Sequence, residues 1–201
     1  MPVTTTGPGP RERMVYSAAQ LIRRDGVAAT GLREVAEHAG APRGSLQHYF
    51  PGGKEQLVNE AVAWSGRYAA KRIARALAAL PRPTPGDLLA AMAQQWIDEC
   101  LSSGFSYGCP VAAAVVDWAD SVPSTRTAVA AALGTWRGPV AEALTAMGVP
   151  AERAAGLAVL MISSIEGALL FVRSEKDVSA LETVVRELRP LLDASVAPVS
   201  G

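Results

Sequence analysis

An all-α fold of about nine helices is the architecture that the sequence predicts. Apolar residues recur at spacings of three and four along most of the 201-residue chain, and the alternating β-branched pattern of strands is missing. Alanine and leucine, which favour helices, are abundant. Hydrophobic residues make up 49% of the chain and charged residues 19%, so we expect a folded protein rather than a disordered one.

A group of three helices is predicted after a disordered tail at residues 1–10. Their apolar positions are Met14, Ala18, Leu21 and Ile22 in the first helix, Leu32, Val35, Ala36 and Ala39 in the second, and Leu46, Tyr49 and Phe50 in the third. We expect Thr30 to cap the second helix and Pro42 to stand near the first residue of the third. Pro51-Gly52-Gly53 breaks the chain, so a helical domain is predicted over residues 11–53.

A second helical domain is predicted over residues 54–196. Its helices are marked by a start near Lys54, a boundary at the prolines 81, 83 and 85, a short helix over 110–119, a start at Pro123, a helix over 154–173, and a last apolar face of Leu181, Val184, Val185, Leu188 and Leu192. Each of these helices has an apolar stripe that needs a partner surface, so they are expected to share one core.

The few cysteines and histidines exclude several classes of protein. Cys100, Cys109, His38 and His48 are too few for a Cys/His zinc site or a disulfide-rich secreted scaffold. The N-terminal residues do not resemble a signal peptide, and the apolar stretch 154–172 is interrupted by polar residues. We therefore expect a cytoplasmic protein with no metal, no cofactor and no membrane contact.

The two parts of the chain carry opposite charge. Residues 1–80 hold 11 Lys and Arg against 6 Asp and Glu, a net of +5, whereas residues 81–201 hold 8 against 13, a net of −5. A basic N-terminal part and an acidic C-terminal part suggest that only the first meets a polyanion, although a bias of this size also arises by chance.

The second and third helices have the layout of a helix-turn-helix, with Ala39-Gly40-Ala41-Pro42 as the turn. The second helix of such a pair lies in the major groove of DNA with its N-terminal residues toward the base edges. The candidate contacts here are Arg43, Gly44, Ser45 and Gln47. Arginine suits guanine or phosphate, glutamine suits adenine, and glycine allows close approach of the backbone. A three-helix core with an exposed polar helix is the alternative.

The run ATGLREVAEHAGAPRGSLQHYF at residues 29–50, continued by PGGKEQL at 51–57, resembles the DNA-binding signature of TetR-type transcriptional regulators over about residues 11–62. Residues 51–57 and Gly108-Cys109-Pro110 resemble the branch that includes drug-responsive repressors. The resemblance implies phosphate contacts for Thr30, Tyr49 and Lys54, and a surface or phosphate contact for His48. Gln47 stands where the family commonly has an aromatic residue, and Ala41-Pro42 replaces the usual hydroxyl cap.

Apolar residues surround the predicted eighth helix, which therefore needs cover on every side. A partner subunit supplies such cover in a homodimer, and two half-sites on DNA require a dimer. The resemblance implies an intersubunit four-helix bundle of the eighth and ninth helices. The candidate interface residues are Leu169, Leu170, Leu181, Val185 and Leu188. The alternative is that the eighth helix is the core of a monomer.

Aromatic residues cluster between residues 64 and 136, which suggests a small-molecule pocket. The candidate ligand-binding residues are Trp96, Cys100, Tyr107, Trp118, Trp136, Met161 and Glu166. The alternative is that these aromatic rings only fill the core. Glu166 would meet a cationic ligand, pair with an arginine across the dimer, or open to solvent. Redox sensing by the cysteines is disfavoured, because neither has a flanking basic residue.

The sequence thus predicts a ligand-responsive DNA-binding transcriptional regulator. In this prediction the protein is a repressor that a small, largely hydrophobic inducer releases from a palindromic double-stranded operator. The alternative is a helical carrier or enzyme that has lost DNA regulation. No nucleophile elbow, phosphate loop or metal motif is found in the sequence, so we do not expect an enzyme.

Overall fold

The computed structural model describes residues 7–42 and 44–197, and the predicted all-α fold is confirmed. Nine helices and no strand occur within these two ranges. Their bounds are α1 Pro10–Ala29, α2 Leu32–His38, α3 Ser45–Tyr49, α4 Gly53–Ala79, α5 Pro85–Ser102, α6 Pro110–Trp118, α7 Pro123–Ala146, α8 Ala151–Glu175 and α9 Ser179–Asp193. Residues 1–6 of the predicted tail lie outside the described residues, and α1 already includes residue 10.

The chain forms two compact units. The N-terminal unit combines the described part of Met1–Ser65 with Cys109–Ala132, and the C-terminal unit combines Gly66–Gly108 with the described part of Leu133–Gly201. This division differs from the predicted boundary after residue 53. The reason is that α6 packs against α1, so a segment distant in sequence belongs with the first three helices.

The core of the N-terminal unit follows the predicted apolar positions. Met14, Leu21 and Ile22 of α1 are almost completely buried, as are Val35 and Ala36 of α2. Leu46 and Phe50 hold the short α3 on this core, and Leu57 and Ala61 of α4 complete it. The polar faces of these helices are thereby left for solvent or for a partner.

The C-terminal unit is built around α9, which packs against both α5 and α8. Its fully buried side chains include Leu88, Leu89, Met161, Leu181 and Leu192. Because these side chains come from three helices far apart in sequence, the unit depends on long-range packing rather than on local contacts.

The start of α5 is fixed by a capping box. The Thr84 hydroxyl accepts from the Asp87 backbone N–H, and the Asp87 carboxylate accepts from the Thr84 N–H at 3.0 Å. The carboxylate also pairs with Arg189 of α9. The hydrogen bond from the Thr84 backbone lowers the pKa of Asp87, and Arg189 adds to the effect. Asp87 therefore ties the first turn of α5 to α9.

Among the described residues, α8 is the helix whose length and composition would allow it to cross a membrane, with a mean hydropathy of 2.0 over its most apolar part. One such helix is weak evidence for a membrane span, because the core helix of a soluble protein has the same properties.

Candidate nucleic-acid interface

The turn between α2 and α3 has the geometry of a helix-turn-helix. Gly40 has a φ of +60°, a left-handed conformation that glycine adopts at little cost. The Ala41 N–H donates to the Ala36 carbonyl at 2.9 Å, which closes the end of α2. The Ser45 N–H donates to the Pro42 carbonyl at 2.9 Å, so α3 begins at residue 45. The expected position of Pro42 near the first residue of α3 is wrong, because Gly44 caps the helix.

The predicted base-reading residues are placed differently from one another. Arg43 lies outside the described residues. Gly44, Gln47 and His48 are exposed, so their outward surfaces are available to DNA. Ser45 is half-buried, and its hydroxyl donates to the Pro42 carbonyl at 2.5 Å. This bond fixes the first turn of α3 and leaves the oxygen as an acceptor only.

Tyr49 is the last residue of α3 and is half-buried. The Tyr49 ring meets the His48 ring edge-on, with 5.1 Å between the ring centroids. This contact limits the orientations of both side chains. Their predicted contacts with phosphate stay predictions.

Thr30 does not cap α2, and that prediction is wrong. Gly31 occupies the cap position of α2, and no side chain caps it. The Thr30 hydroxyl donates instead to the Gly26 carbonyl at 2.7 Å, where it closes the end of α1. Only 3% of Thr30 is exposed, which disfavours the predicted contact between its hydroxyl and a phosphate.

Lys54 lies at the start of α4, where both its charge and the helix N-terminus favour an anion. Its Nζ donates to the Ala28 carbonyl at 3.2 Å and lies 5.5 Å from the centre of the Trp118 ring. Burial lowers the pKa of Lys54, and the nearby Asp117 carboxylate opposes this shift. Two of the three ammonium protons remain for an outside acceptor.

An open groove of about 300 Å³ lies where α2 meets α3. It is lined by Leu32, Arg33, Leu46, Gln47 and Phe50. The exposed Arg33 and Gln47 thus share one surface that combines a fixed positive charge with an amide. Sequence reasoning missed Arg33, although its place in the first turn of α2 was the signal that could have found it.

Six of the seven predicted ligand-binding residues lie in the C-terminal unit, and Trp118 is the exception. Trp118 belongs to the N-terminal unit, where its ring lies 5.5 Å from Lys54 Nζ. Cys100, Trp136 and Met161 are buried, and Trp96, Tyr107 and Glu166 are half-buried. Their contact with a ligand stays a prediction.

Trp136 has the one buried side-chain donor that lacks a hydrogen-bond partner within the described residues. The residue is 7% exposed, and its indole Nε1 is inaccessible to solvent. A buried donor without a partner costs about 1–3 kcal/mol relative to its hydrated state. An acceptor atom brought to this nitrogen would recover that free energy.

Arg72 of α4 is surrounded by aromatic and acidic groups of the C-terminal unit. Its guanidinium lies 5.7 Å from the centre of the Tyr68 ring and 5.9 Å from that of Trp96. It donates to Gln95 Oε1 at 2.8 Å and pairs with Glu99 of α5. Trp96 therefore contacts a cation of its own chain, and this surrounding favours positive charge.

The predicted dimer residues are divided between the core and the surface. Leu169 and Leu181 are 3% and 0% exposed, so they pack inside their own chain and their assignment to an interface is corrected. Leu170 is 73% exposed, whereas Val185 and Leu188 are half-buried. Helix α8 is therefore covered on one side by its own chain and is open on another.

Helices α1 to α3, with a glycine turn between α2 and α3 and an exposed polar face on α3, define the molecule as a helix-turn-helix regulatory protein. Residues 16–61 match the family model described as bacterial regulatory proteins, tetR family. Residues 85–187 match the model for the C-terminal domain of LmrA/YxaF-like transcriptional regulators. The chain belongs to the TetR family of transcriptional regulators, and DNA-binding regulation is its function.

Individual proteins agree with this assignment over nearly the full length of the chain. An uncharacterised HTH-type transcriptional regulator of Mycobacterium tuberculosis is 43% identical over 193 residues, which is 94% of this chain and 96% of that protein. The HTH-type transcriptional regulator LmrA of Bacillus subtilis is 31% identical and covers 85% of this chain and 90% of its own. The crystal structure of a TetR transcriptional regulator from Legionella pneumophila shares the fold, with a TM-score of 0.79, 20% identity, and coverage of 96% and 100%.

The described residues hold no group of three or more His, Cys, Asp or Glu side chains with the arrangement of a metal site. Cys100 and Cys109 are both buried, and Cys109 caps the start of α6. Burial limits the access of an oxidant to these thiols.

Proposed function

We propose that this chain is a homodimeric, cytoplasmic repressor that binds a palindromic operator and is released by a small, largely hydrophobic molecule. The regulators that it resembles and its own fold give no reason to expect an enzymatic activity. The observation that carries the proposal is an exposed apolar surface on α8, because one recognition helix alone contacts too few bases to specify a site.

The surface that would form the dimer lies on one side of α8. Val159 and Leu170 are 45% and 73% exposed, and they stand three helical turns apart on the same face. Phe171 is 57% exposed beside them, and Leu191 of α9 is 47% exposed. Several large apolar side chains exposed on neighbouring helices are typical of an interface between subunits.

The ligand that we propose has an apolar body with at least one hydrogen-bond acceptor. The support for the acceptor is the buried Trp136 indole, whose N–H has no partner within the described part of the chain. Aromatic and apolar residues surround such ligands in most small-molecule sites, and a few polar groups fix their orientation. Binding would favour a dimer state with a different spacing of its two recognition helices, and operator affinity would fall.

The first experiment selects genomic DNA fragments on the purified wild-type protein at physiological salt and sequences those retained. We expect a palindromic site. Lys54→Ala should weaken binding to all sequences and reduce the slope of log affinity against log salt by about one, as the loss of a single phosphate contact does. Lys71→Ala is the matched control, because Lys71 is an exposed lysine of the same helix in the C-terminal unit.

Base reading is tested with Gln47→Ala on the recovered site. We expect a loss of about 1–3 kcal/mol that is confined to one position in each half-site. Retention of fragments without any sequence preference by the wild-type protein would contradict the proposed repressor. It would direct attention to the helical C-terminal unit as a carrier of small molecules.

Ligand release is tested by displacing a labelled operator with a library of small apolar compounds. An active compound should lose its effect on Trp136→Phe, which removes the N–H and keeps an aromatic ring. The same compound should still act on Trp64→Phe, a change in a half-buried tryptophan of the N-terminal unit. Equal responses of the two variants would argue against a ligand contact at Trp136.

A further inference from the structure

The end of α6 holds the backbone of the last residues of α1. One oxygen of the Asp117 carboxylate, Oδ2, accepts from the Val27 N–H at 2.7 Å and from the Ala28 N–H at 3.2 Å. These residues are 90 and 89 positions away from Asp117 in the sequence. A single carboxylate of α6 therefore satisfies two successive amide groups that directly precede the helix-turn-helix.

Gly26 makes this approach possible. Its φ of +86° and ψ of 169° fall in a region that is almost exclusive to glycine. A Cβ at this position would lie 2.9 Å from Asp117 Oδ2, which is too close for an ordinary contact. Both the positive φ at position 26 and the close approach of the Asp117 carboxylate therefore require glycine.

The segment that Asp117 holds is also fixed by two other side chains. Lys54 Nζ donates to the Ala28 carbonyl at 3.2 Å, and the Thr30 hydroxyl donates to the Gly26 carbonyl at 2.7 Å. Residue 31 then caps α2, which leads through the glycine turn into α3. Contacts from α4 and α6 therefore hold Val27 and Ala28, which lie four and three residues before the cap of α2.

We propose that Asp117 is a positioning residue for DNA binding, and that α6 is a working part of the DNA-binding unit. This inference rests on the proposed DNA surface of α2, α3 and Lys54. Asp117 holds the entry to α2 in one conformation, which sets the recognition helix and the Lys54 ammonium at a fixed distance from each other. The specific complex needs both groups in register on the DNA, whereas non-specific binding needs only positive charge.

The negative charge of Asp117 has the opposite effect on DNA affinity. A carboxylate near phosphates repels them, so its removal by itself raises the affinity for any duplex, within the range of about 10 Å that salt screening allows. Loss of positioning lowers only the affinity for the operator. The two contributions therefore separate when operator and non-specific DNA are compared in the same buffer.

The test compares Asp117→Ala and Asp117→Asn with Asp120→Ala, in the full-length protein. Asp120 is an exposed carboxylate three residues further along the chain, so its replacement removes an equal charge from the same region. Affinities for the selected operator and for a scrambled duplex are measured by fluorescence anisotropy at one salt concentration. Amide hydrogen exchange is followed at Val27 and Ala28, and the oligomeric state is checked by sedimentation.

Asp117→Ala removes both hydrogen bonds, and we expect it to bind the operator at least about tenfold more weakly, since about tenfold corresponds to the loss of one charge-assisted hydrogen bond. Its affinity for the scrambled duplex should be equal to or above that of the wild-type protein. The Val27 and Ala28 amides should exchange faster. Asp117→Asn keeps one acceptor oxygen and should recover part of the operator affinity, and Asp120→Ala should behave like the wild-type protein.

Equal operator affinities for Asp117→Ala and Asp120→Ala would overturn the positioning role and leave the proposed repressor intact. A parallel loss of operator and scrambled-duplex affinity would also overturn it, because that pattern indicates a smaller folded fraction. If Asp117→Ala does not fold, the operator-to-scrambled ratio of Asp117→Asn decides the question. Failure of the wild-type protein to select any site would be a failure of the proposed function itself.

Discussion

The Leu170→Ala variant is expected to dissociate at concentrations at which the wild-type chain remains a dimer. Leu170 is 73% exposed on α8, although it is a large apolar side chain of a largely apolar helix. Complete burial of a leucine side chain contributes about 1.5–3 kcal/mol. With 73% of the residue still to be buried, Leu170 contributes about 1–2 kcal/mol to each side of a dimer.

A two-fold dimer uses the same residue of both subunits, so the substitution removes this contribution twice. The expected loss is about 2–4 kcal/mol, which raises the dissociation constant of the dimer by about 30-fold to about 700-fold. The stability of the single chain should change little, because the side chain has few contacts within its own chain to lose.

Sedimentation velocity over a dilution series measures this constant directly. Val116→Ala is the matched control, because Val116 is 84% exposed and lies on α6 in the N-terminal unit. The reasoning is refuted if Leu170→Ala and Val116→Ala dissociate at the same concentration. It is also refuted if the wild-type protein sediments as a 20.9 kDa species at micromolar concentration.

Three further predictions follow from local geometry. Gly26→Ala should lower the free energy of unfolding by about 1–3 kcal/mol, since it forces a side chain into a positive-φ conformation against Asp117; thermal unfolding measures this, and an unchanged midpoint would contradict it. Asp87→Asn should cost about 1 kcal/mol at neutral pH through the weakened capping box with Thr84. Because the folded pKa of Asp87 is lowered, its stabilisation is present above the unfolded value of about 3.9 and is lost as pH falls through the folded pKa. Urea unfolding should therefore show the difference between wild type and Asp87→Asn vanishing in acid, and a constant difference would refute this. Burial lowers the pKa of Lys54, so the operator-affinity difference between wild type and Lys54→Ala should vanish at a lower pH than the value of about 10.4 expected for an exposed lysine.

The helices were predictable because each has a regular apolar spacing and a clear start or end. Pro123 opens α7 and the prolines at 83 and 85 precede or begin α5, as expected from the fixed φ of proline at the first turn of a helix. The bounds of α4 differ from the prediction by one residue at the start. Residues close to a helix end determine where the helix begins or stops, so these positions can be predicted from the sequence.

Contacts between distant segments were not predictable in the same way. The hydroxyl of Thr30 suits either neighbouring helix, and only the structure shows that it bonds to Gly26 of α1. The apolar circumference of α8 indicated that both sides need cover, but its pattern gave no sign that Leu169 faces inward and Leu170 outward. Asp117 has no local motif at all, because its role depends on amides 90 residues away.

The N-terminal unit is assembled from two pieces of chain, and this has a consequence for protein engineering. A chimaera that joins residues 7–65 of this chain to the sensor of another regulator would lack α6, and with it the carboxylate at the entry to α2. Exchange of DNA specificity should therefore succeed only when residues 109–132 are transferred as well. The part that can be exchanged is therefore a set of packed helices from two segments of the chain, and not one continuous segment.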